Sequence, residues 1–340
     1  MTTYSLRIPS STRPFSNLID NYGRQITYLR LAITDRCNLR CRYCRSETDV
    51  PYTPHEEILR FEELERLVRI FTALGVRKVR VTGGEPFARK GCLDFLRRLR
   101  KIEKLESLHI TTNGVKIARY MSDLREMDIG GINLSLDTLD PLRFQEITRR
   151  DHLDAVLTTL QEALTHKVPL KINCVVLEST SDQEILALAT LAKTHPLTLR
   201  FIEQMPFSGG NGNRLLEKGR LLGRLGAILP AMAEEMQNQP TTSRIFRLPG
   251  YVGKIGVISG YSRLFCQTCN KVRVTPTGML KNCLYDSGAL DLKQLLRSGA
   301  SDEELSLAII SCTRNRFADG YEAERCSPKT CEPSMAMIGG

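Results

Sequence analysis

Three cysteines stand close together in the stretch TDRCNLRCRYCRSE at residues 34–47. Cys37, Cys41 and Cys44 have the spacing C-x3-C-x2-C and directly follow an apolar run. Thiolates grouped in this way are typical ligands of zinc or of an iron-sulfur cluster. Zinc structural sites and cubane clusters usually take four ligands, so one ligand is missing. Either another protein side chain completes a zinc site, or a 4Fe-4S cube keeps one iron open for a small molecule.

A second set of three cysteines lies in FCQTCNKVRVTPTGMLKNCL, where Cys266, Cys269 and Cys283 have the spacing C-x2-C-x13-C. The chain has 11 cysteines, and the others lie at positions 92, 174, 312, 326 and 331. In a reducing compartment, clustered cysteines indicate metal binding or catalysis rather than disulfides. Cys92 and Cys174 stand alone beside apolar residues, which predicts that they are small core residues.

Residues 27–205 alternate between β-branched runs and amphipathic helical runs such as RFEELERLVRIFTALG. Strands are predicted at residues 26–34, 78–83, 107–113, 131–137, 170–178 and 197–205. Six βα units in series predict an α/β fold with a parallel sheet and right-handed crossovers, curled into a complete or partial barrel. The pattern alone does not separate six strands from eight.

Polar residues follow several of these strands, where parallel βα folds collect their chemistry. The first cysteine set follows the first strand in this way. The others, in chain order, are Gly83, Gly84, Glu85, Thr111, Asn113, Ser135, Asp137, Glu203 and Met205. We therefore expect one shared active-site mouth.

The pattern changes after Met205, where PFSGGNGN is a glycine-rich break. A helix, two short strands around SRIFRLPG and GKIGVISG, two helices near residues 288–298 and 302–313, and a loop-like tail are predicted. The predicted organisation is an N-terminal extension at 1–25, a core at 26–205 and a C-terminal region at 206–340.

Composition limits the kinds of partner. The chain of 340 residues is 41% hydrophobic and 25% charged, with no apolar run near the ~20 residues of a membrane span, and its start lacks a signal peptide's apolar segment. These features predict a soluble cytoplasmic protein without a membrane partner. The net charge of +10 favours a polyanionic ligand, which leaves nucleic acid, nucleotide phosphates and a solvated surface open.

Two motifs carry a family resemblance. The first cysteine set, with Tyr43 before its last cysteine, together with GGEP at residues 83–86, resembles the radical S-adenosylmethionine superfamily. YLRLAITDRCNLRCRYC, VRVTGGEP, the second cysteine set and the terminal IGG together resemble the GTP 3',8-cyclase family, over about residues 20–340. The resemblance implies a partial (β/α)6 TIM-type barrel of the radical SAM type, with a C-terminal α+β region that carries a second iron-sulfur cluster.

The resemblance also implies a reaction, that of a lyase in molybdenum cofactor biosynthesis with two 4Fe-4S clusters. In that family the first cluster binds S-adenosylmethionine and yields a 5'-deoxyadenosyl radical, and the second binds the guanine of GTP. The radical removes the 3' hydrogen, and the resulting carbon radical attacks C8 to give (8S)-3',8-cyclo-7,8-dihydroguanosine 5'-triphosphate. The implied partners are a cyclic pyranopterin monophosphate synthase that receives the product and a reduced flavodoxin-type electron donor. A homodimer is left open.

Site residues follow from the resemblance by motif, with no residue assigned as an acid or base. The implied cluster ligands are the cysteines at 37, 41, 44, 266, 269 and 283. The implied contacts of S-adenosylmethionine are Tyr43, Gly84, Ser135 and Met205. The implied contacts of GTP are Arg30, Arg80, Thr111, Lys171, Lys271, Val272 and Arg273. Several cations suit a triphosphate, and Val272, which points away from its neighbours, is expected to contribute only its backbone.

Some residues depart from the family pattern. Lys271 replaces the first arginine of an Arg-x-Arg motif, and Arg45 and Ser46 replace methionine and proline. Cys326 and Cys331 are additional, and the sequence allows free surface thiols, a redox pair or another metal site. The resemblance implies that the terminal Gly339 and Gly340 insert toward the substrate pocket.

Two other functions fit parts of the sequence. A peptide-modifying radical enzyme with auxiliary clusters is the first, but such enzymes usually have more cysteines per auxiliary site and an N-terminal peptide-binding module. The second is an RNA-binding zinc protein, suggested by the charge and the cysteines. Aromatic residues are only 6% of the chain and tryptophan is absent, so few side chains could stack on RNA bases. The sequence therefore predicts no nucleic-acid partner.

Overall fold

A computed structural model describes residues 17–44, 51–205, 220–237, 241–260, 263–326 and 335–338. Its first part is a series of strands and helices in alternation. The strands are β1 Tyr28–Ala32, β2 Lys78–Thr82, β3 Ser107–Thr112, β4 Gly131–Ser135, β5 Leu170–Val176 and β6 Thr198–Glu203. The helices are α1 Phe61–Ala73, α2 Cys92–Arg100, α3 Met121–Glu126, α4 Pro141–Thr148, α5 Leu153–Thr165 and α6 Asp182–Thr194. All six predicted strands are thus confirmed.

The second part contains short strands and five more helices within the described ranges. The strands are β7 Ala233–Glu235, β8 Arg244–Arg247, β9 Lys254–Ile258, β10 Lys271–Val274, β11 Met279–Lys281 and β12 Leu290–Asp291. The helices are α7 Arg220–Ile228, α8 Leu292–Arg297, α9 Asp302–Thr313, α10 Gly320–Cys326 and α11 Met335–Ile338. The prediction of a loop-like tail is wrong at α11, where Ala336 and Ile338 are buried, so a helical turn packs apolar side chains that the pattern could not place.

One twelve-stranded sheet joins both parts, in the order β12-β11-β10-β1-β2-β3-β4-β5-β6-β9-β8-β7. Strands β10, β1 to β6 and β9 are parallel, while β11 and β12 at one end and β7 and β8 at the other pair antiparallel. The C-terminal region therefore extends both edges of the predicted core sheet. The domain boundary at residue 205 stays a prediction.

Helices cover the sheet through apolar faces. Helix α1 buries Leu64, Leu67 and Phe71, which recur at three and four residues. At its start the Arg60 amide donates to the Glu63 carboxylate at 2.6 Å, which satisfies an N–H group that has no partner inside the helix. Cys92 and Cys174 are buried, as predicted for core residues. Within the described ranges no helix has the length and apolar character needed to cross a bilayer.

Candidate active site

A cavity of about 520 Å³ opens at the carboxyl ends of the parallel strands. Both cysteine sets line it, from the loop after β1 and from the segments around β10 and β11. The predicted contact residues that line it are Arg30, Tyr43, Arg80, Gly84, Thr111, Ser135, Lys171, Met205, Lys271 and Arg273. Val272 is the exception, because its side chain is buried in the core. The expected single mouth is therefore present, and the roles of its residues stay predictions.

A glycine pair brings the end of β2 against the first cysteine loop. The amide of Gly84 donates to the Thr34 carbonyl at 2.7 Å, and the amide of Glu85 donates to the Arg36 carbonyl at 2.8 Å. A Cβ atom on Gly84 would lie 2.4 Å from the Arg36 carbonyl oxygen, and one on Gly83 would lie 2.3 Å from that of Thr34. Only residues without a side chain allow this approach.

Glu85 then links that loop to β3. Its buried carboxylate accepts hydrogen bonds from the Thr112 hydroxyl at 2.9 Å and from the amides of Asn113 at 2.7 Å and Phe87 at 3.0 Å. Burial raises the pKa of Glu85 to about 7. The Asn113 side-chain amide in turn donates to the Cys37 sulfur at 3.4 Å. Glu85 thus holds Asn113 where it can orient a cysteine of the first set.

Tyr43 is fixed from the opposite side of this loop. Its hydroxyl donates to Oδ2 of Asp137 at 2.7 Å, and Oδ1 of Asp137 accepts from the Val175 amide at 2.8 Å. Burial raises the pKa of Asp137 to about 6. Burial also raises the pKa of the Cys37 thiol to about 12 and that of Cys41 well above its ordinary value. Such thiols ionise readily only when a metal replaces their protons.

The second cysteine set is held by its own backbone turns. The Cys269 amide donates to the Cys266 carbonyl at 3.2 Å, and the Cys283 amide donates to the Asp286 carboxylate at 2.7 Å. Burial raises the pKa of Cys266, and it raises that of Cys283 to about 11. At Cys269 burial acts in the same direction, but the charges of Lys271 and Arg316 outweigh it and lower the pKa. This set therefore also has the donor chemistry that suits a cationic metal cluster.

Each cysteine set supplies three thiols to the cavity, the number that a 4Fe-4S cube with one open iron takes from the protein. In the described part of the chain, no three or more Cys, His, Asp or Glu side chains are placed to hold a single metal ion. A 4Fe-4S cube differs because each thiolate binds its own iron, so the three sulfurs do not have to converge on one atom. The residues present therefore fit two clusters with three protein ligands each.

Basic side chains on five strands form a wall of the same cavity. The strand register places Arg30 on β1 directly beside Arg80 on β2 and Arg273 on β10. Because alternate residues of a strand face the same side, their neighbours two positions away also reach the cavity. The basic residues on the strands that line it are Arg30, Lys78, Arg80, Lys171, Arg200, Lys271 and Arg273.

These cations lower one another's pKa values. Burial and the charge of Arg273 lower the pKa of Arg30 to about 9. Burial and the charge of Arg200 lower the pKa of Lys171 to about 8, and Arg200 itself is lowered to about 10 by burial and Arg80. A polyanion would remove this repulsion, so the site is built to bind several negative charges.

The positive charges of this wall also act on the phenol group of Tyr28. Its hydroxyl accepts a hydrogen bond from Nε of Arg80 at 2.5 Å. Burial alone would raise the pKa of Tyr28, but the charges of Arg80 and Arg30 and this hydrogen bond lower it to about 7. The positive potential is thus strong enough to stabilise a phenolate.

Sequence reasoning missed several residues of the cavity wall, among them Tyr28, Lys78, Asn173 and Arg200. Lys78 lies two residues before Arg80 and Asn173 two after Lys171, so strand alternation was the signal that could have found them. Among the described residues, the buried polar atoms without a hydrogen-bond partner include Thr111 Oγ1, Asn173 Oδ1 and both Nε and Nη2 of Arg200. Because these residues line the cavity, such atoms are available to a ligand.

The remaining sequence predictions concern the chain ends. In helix α11, Met335 and Ala336 line the cavity, directly before the terminal glycines. Cys326 is exposed at the end of α10, and Cys312 accepts a bond from the Asn282 side chain at its sulfur, at 3.4 Å. Residues 45 and 46, 331, 339 and 340 lie outside the described residues.

Comparisons with known proteins agree with this geometry. The Radical SAM superfamily profile matches residues 31–192, and the Molybdenum Cofactor Synthesis C profile matches residues 197–321. In structure, the chain resembles Streptococcus suis SuiB bound to S-adenosylmethionine, with a TM-score of 0.58, 16% identity, and coverage of 82% of this chain and 67% of SuiB. The fold is therefore the predicted α/β partial barrel of the radical SAM type.

Other known proteins share a higher sequence identity with this chain than SuiB does. Molybdenum cofactor biosynthesis protein 1 of Bos taurus is 40% identical over 86% of this chain, which spans about half (47%) of that protein's length. GTP 3',8-cyclase of Moorella thermoacetica is 41% identical over 94% of this chain and 99% of its own length. The enzyme of that name from Clostridium perfringens strain SM101 is 39% identical over 84% of this chain and 89% of its own. The chain belongs to the GTP 3',8-cyclase family of the radical SAM superfamily.

Proposed function

We propose that this chain is a radical SAM lyase that cyclises GTP to (8S)-3',8-cyclo-7,8-dihydroguanosine 5'-triphosphate for molybdenum cofactor biosynthesis. The observation that carries the proposal is a shared cavity, lined by both incomplete cysteine sets and by seven basic side chains on five strands of the sheet. One incomplete cluster suits S-adenosylmethionine, and the other suits the substrate. The volume of about 520 Å³ is ordinary for a small-molecule site.

The first half of the cavity handles the cofactor. Cys37, Cys41 and Cys44 would hold a 4Fe-4S cluster, which supplies the electron that cleaves S-adenosylmethionine to a 5'-deoxyadenosyl radical. The side chain of Tyr43, held by Asp137, forms a fixed wall for the bound cofactor. Gly84 offers backbone without a side chain, and the contacts of Ser135 and Met205 complete this half.

The second half handles GTP. Cys266, Cys269 and Cys283 would hold the other 4Fe-4S cluster, with the guanine at its open iron. The basic wall binds a triphosphate of about four negative charges, and guanidinium groups match pairs of phosphate oxygens. Arg30, Arg80 and Arg273 lie side by side on three neighbouring strands, so their guanidinium groups can bind the phosphates together. Binding of the phosphates by these arginines would fix the position of the ribose 3' hydrogen relative to the 5'-deoxyadenosyl radical.

Two further protein partners complete the proposal. A reduced flavodoxin-type protein would donate the electron, and a cyclic pyranopterin monophosphate synthase would receive the product. Membership of a family named for molybdenum cofactor biosynthesis supports the second of these partners. A cytoplasmic location and a possible homodimer belong to the same proposal. S-adenosylmethionine and GTP then share one cavity in each chain.

The test begins with anaerobic purification and an assay of iron and sulfide, which should give about eight iron atoms per chain. Incubation with reductant, S-adenosylmethionine and GTP should then yield 5'-deoxyadenosine and the cyclised nucleotide, identified by mass spectrometry. Matched controls are Cys44→Ala, which should lose both products, and Cys283→Ala, which should lose the cyclised nucleotide. Zinc without iron, or consumption of a peptide or ATP in place of GTP, would reject the proposal.

A further inference from the structure

A buried carboxylate organises the turn that precedes β1. Oδ1 of Asp20 accepts hydrogen bonds from the amides of Tyr22 and Arg24, both at 2.9 Å. Its Oδ2 accepts a hydrogen bond from Nε of Arg24 at 2.6 Å and lies 3.4 Å from Nη1 of Arg316. The Asp20 side chain is 0% exposed, and those of Arg24 and Arg316 are 9% and 4% exposed. One carboxylate thus pairs with two buried guanidinium groups.

Arg24 uses its remaining donors on two chain segments. Nη1 donates to the carbonyl of Cys266 at 2.9 Å and to that of Ala318 at 2.7 Å, while Nη2 donates to the carbonyl of Phe317 at 2.7 Å. These bonds tie the second cysteine set to the segment between α9 and α10. The N-terminal turn therefore sets the position of Cys266.

Arg316 reaches the neighbouring cysteine directly. Its Nη1 donates to the Cys269 carbonyl at 3.1 Å, and its Nη2 donates to the Cys269 sulfur at 3.5 Å. Burying a guanidinium group costs several kcal/mol of solvation unless a partner offsets it, and here Asp20 is that partner. A costly buried charge aimed at a sulfur atom of the second set indicates a role beyond packing.

We propose that Arg316 is a positioning residue for the second cluster, held by Asp20, and that it raises the reduction potential of this cluster. The inference rests on the proposed function, since it requires that Cys266, Cys269 and Cys283 hold a cluster. Reduction adds negative charge that spreads to the sulfur ligands, so a hydrogen bond from a cation is stronger in the reduced state. Arg316 thus favours the reduced cluster and fixes the direction of the Cys269 thiolate.

The test uses the full chain with Cys37, Cys41 and Cys44 replaced by alanine, which leaves the second cluster alone. In this parent, Arg316→Gln removes the charge, and Arg316→Lys keeps it but loses the forked geometry. Asp20→Asn weakens the hold on Arg316, while Arg314→Gln, at an exposed position two residues away, is the matched control. Each reconstituted variant is assayed for iron, for its melting temperature, and for its reduction potential by a titration followed with electron paramagnetic resonance.

Arg316→Gln should lower the ratio of reduced to oxidised cluster about tenfold at a fixed potential, which corresponds to about 59 mV for one electron. Arg316→Lys should recover part of this shift, Asp20→Asn should move in the direction of Arg316→Gln, and Arg314→Gln should match the parent. If Arg316→Gln does not fold, the reduction potential of Arg316→Lys is compared with that of the parent instead.

Parent-like potentials in the folded Arg316 variants would overturn the inference but not the proposed function, because the second cluster would still be present. A parent that binds no iron would overturn both. A loss of iron in Arg316→Gln with an unchanged melting temperature would support the positioning role.

Discussion

The hydroxyl of Tyr43 donates a hydrogen bond to the carboxylate of Asp137 at 2.7 Å, although the two residues lie 94 positions apart in the chain. Tyr43 belongs to the first cysteine loop, and Asp137 follows β4. Because Asp137 also accepts a hydrogen bond from the Val175 amide on β5, the orientation of this loop depends on β4 and β5.

Tyr43→Phe tests this anchor. The substitution leaves a raised-pKa carboxylate with one partner fewer, so we expect a loss of about 1–3 kcal/mol in the free energy of unfolding. We also expect a higher KM for S-adenosylmethionine, measured as 5'-deoxyadenosine formation. Tyr120→Phe, which keeps a ring stacked on Phe87, is the control and should change neither value. Equal behaviour of the two variants would argue against the anchoring role.

Glu85→Gln tests the link to Cys37. An amide places a donor opposite the N–H and O–H groups that Glu85 now accepts from, and an unsatisfied buried donor costs about 1–3 kcal/mol. The displaced Asn113 would then release Cys37, so iron should fall from about eight to about four atoms per chain. Glu126→Gln, at an exposed position, is the control and should retain about eight iron atoms per chain. Full iron in Glu85→Gln would contradict this chain of contacts.

The pH dependence of GTP binding should report on Lys171. Its pKa is lowered from 10.5 to about 8, by burial first and then by Arg200, and a bound triphosphate would raise it again. GTP binding therefore takes up a proton above pH 8, and the affinity should fall as the pH rises through that value. The stability of the chain without GTP should change with pH in the opposite direction. The unfolded chain binds this proton more tightly than the folded one, so stability should increase between pH 8 and 10.5.

Isothermal titration calorimetry with GTP between pH 7 and pH 9.5 measures the affinity. Lys171→Arg places a more basic group at this position, so the part of the fall that is due to Lys171 should move to higher pH. If the arginine variant and the wild type lose affinity in parallel, another group is responsible.

Lys271→Arg should improve substrate binding. A lysine at this position gives a point charge, whereas arginine can donate two parallel hydrogen bonds to a phosphate. One more charge-assisted hydrogen bond of about 1 kcal/mol would lower the KM for GTP about fivefold. Formation of 5'-deoxyadenosine without GTP should stay unchanged, which separates this effect from one on the first cluster. A KM that rises would mean that Lys271 does not face phosphate.

Deletion of Gly339 and Gly340 should abolish the cyclised nucleotide while leaving the iron content intact. The preceding helix already lines the cavity through Met335 and Ala336, so two residues without side chains suit a narrow space there. A variant with alanine at both positions keeps the length and tests whether the missing side chains matter. Full turnover after deletion would refute this use of the tail.

The sequence predicted the core strands and both cysteine sets because each depends on local patterns. Alternating apolar residues mark strands such as β2, and fixed spacing marks Cys37, Cys41 and Cys44. Arg200 was missed because nothing local marks it, since it becomes a wall residue only through the register that pairs it with Asn173 on β5. Gly256 opposite it on β9 leaves the room, because a Cβ there would lie 2.8 Å from the Arg200 side chain.

The Asp20, Arg24 and Arg316 contacts were unpredictable for a related reason. The carboxylate and Arg316 are separated by nearly the whole chain, and each alone resembles an ordinary surface charge. Their burial depends on how the segment after α9 packs against the turn before β1. No spacing rule relates residues that meet only through tertiary packing.

The position of β10 affects how the protein can be made. Strand β10 pairs with β1, so the two strands that carry Arg30 and Arg273 come together only after the 238 residues between them, 33–270, exist. Pairing across so long a separation is slow, because a large loop must close before any contact forms. On the ribosome, β1 would emerge long before its neighbour, with one edge open. Delivery of iron and sulfide to the second cysteine set must therefore follow synthesis of most of the chain.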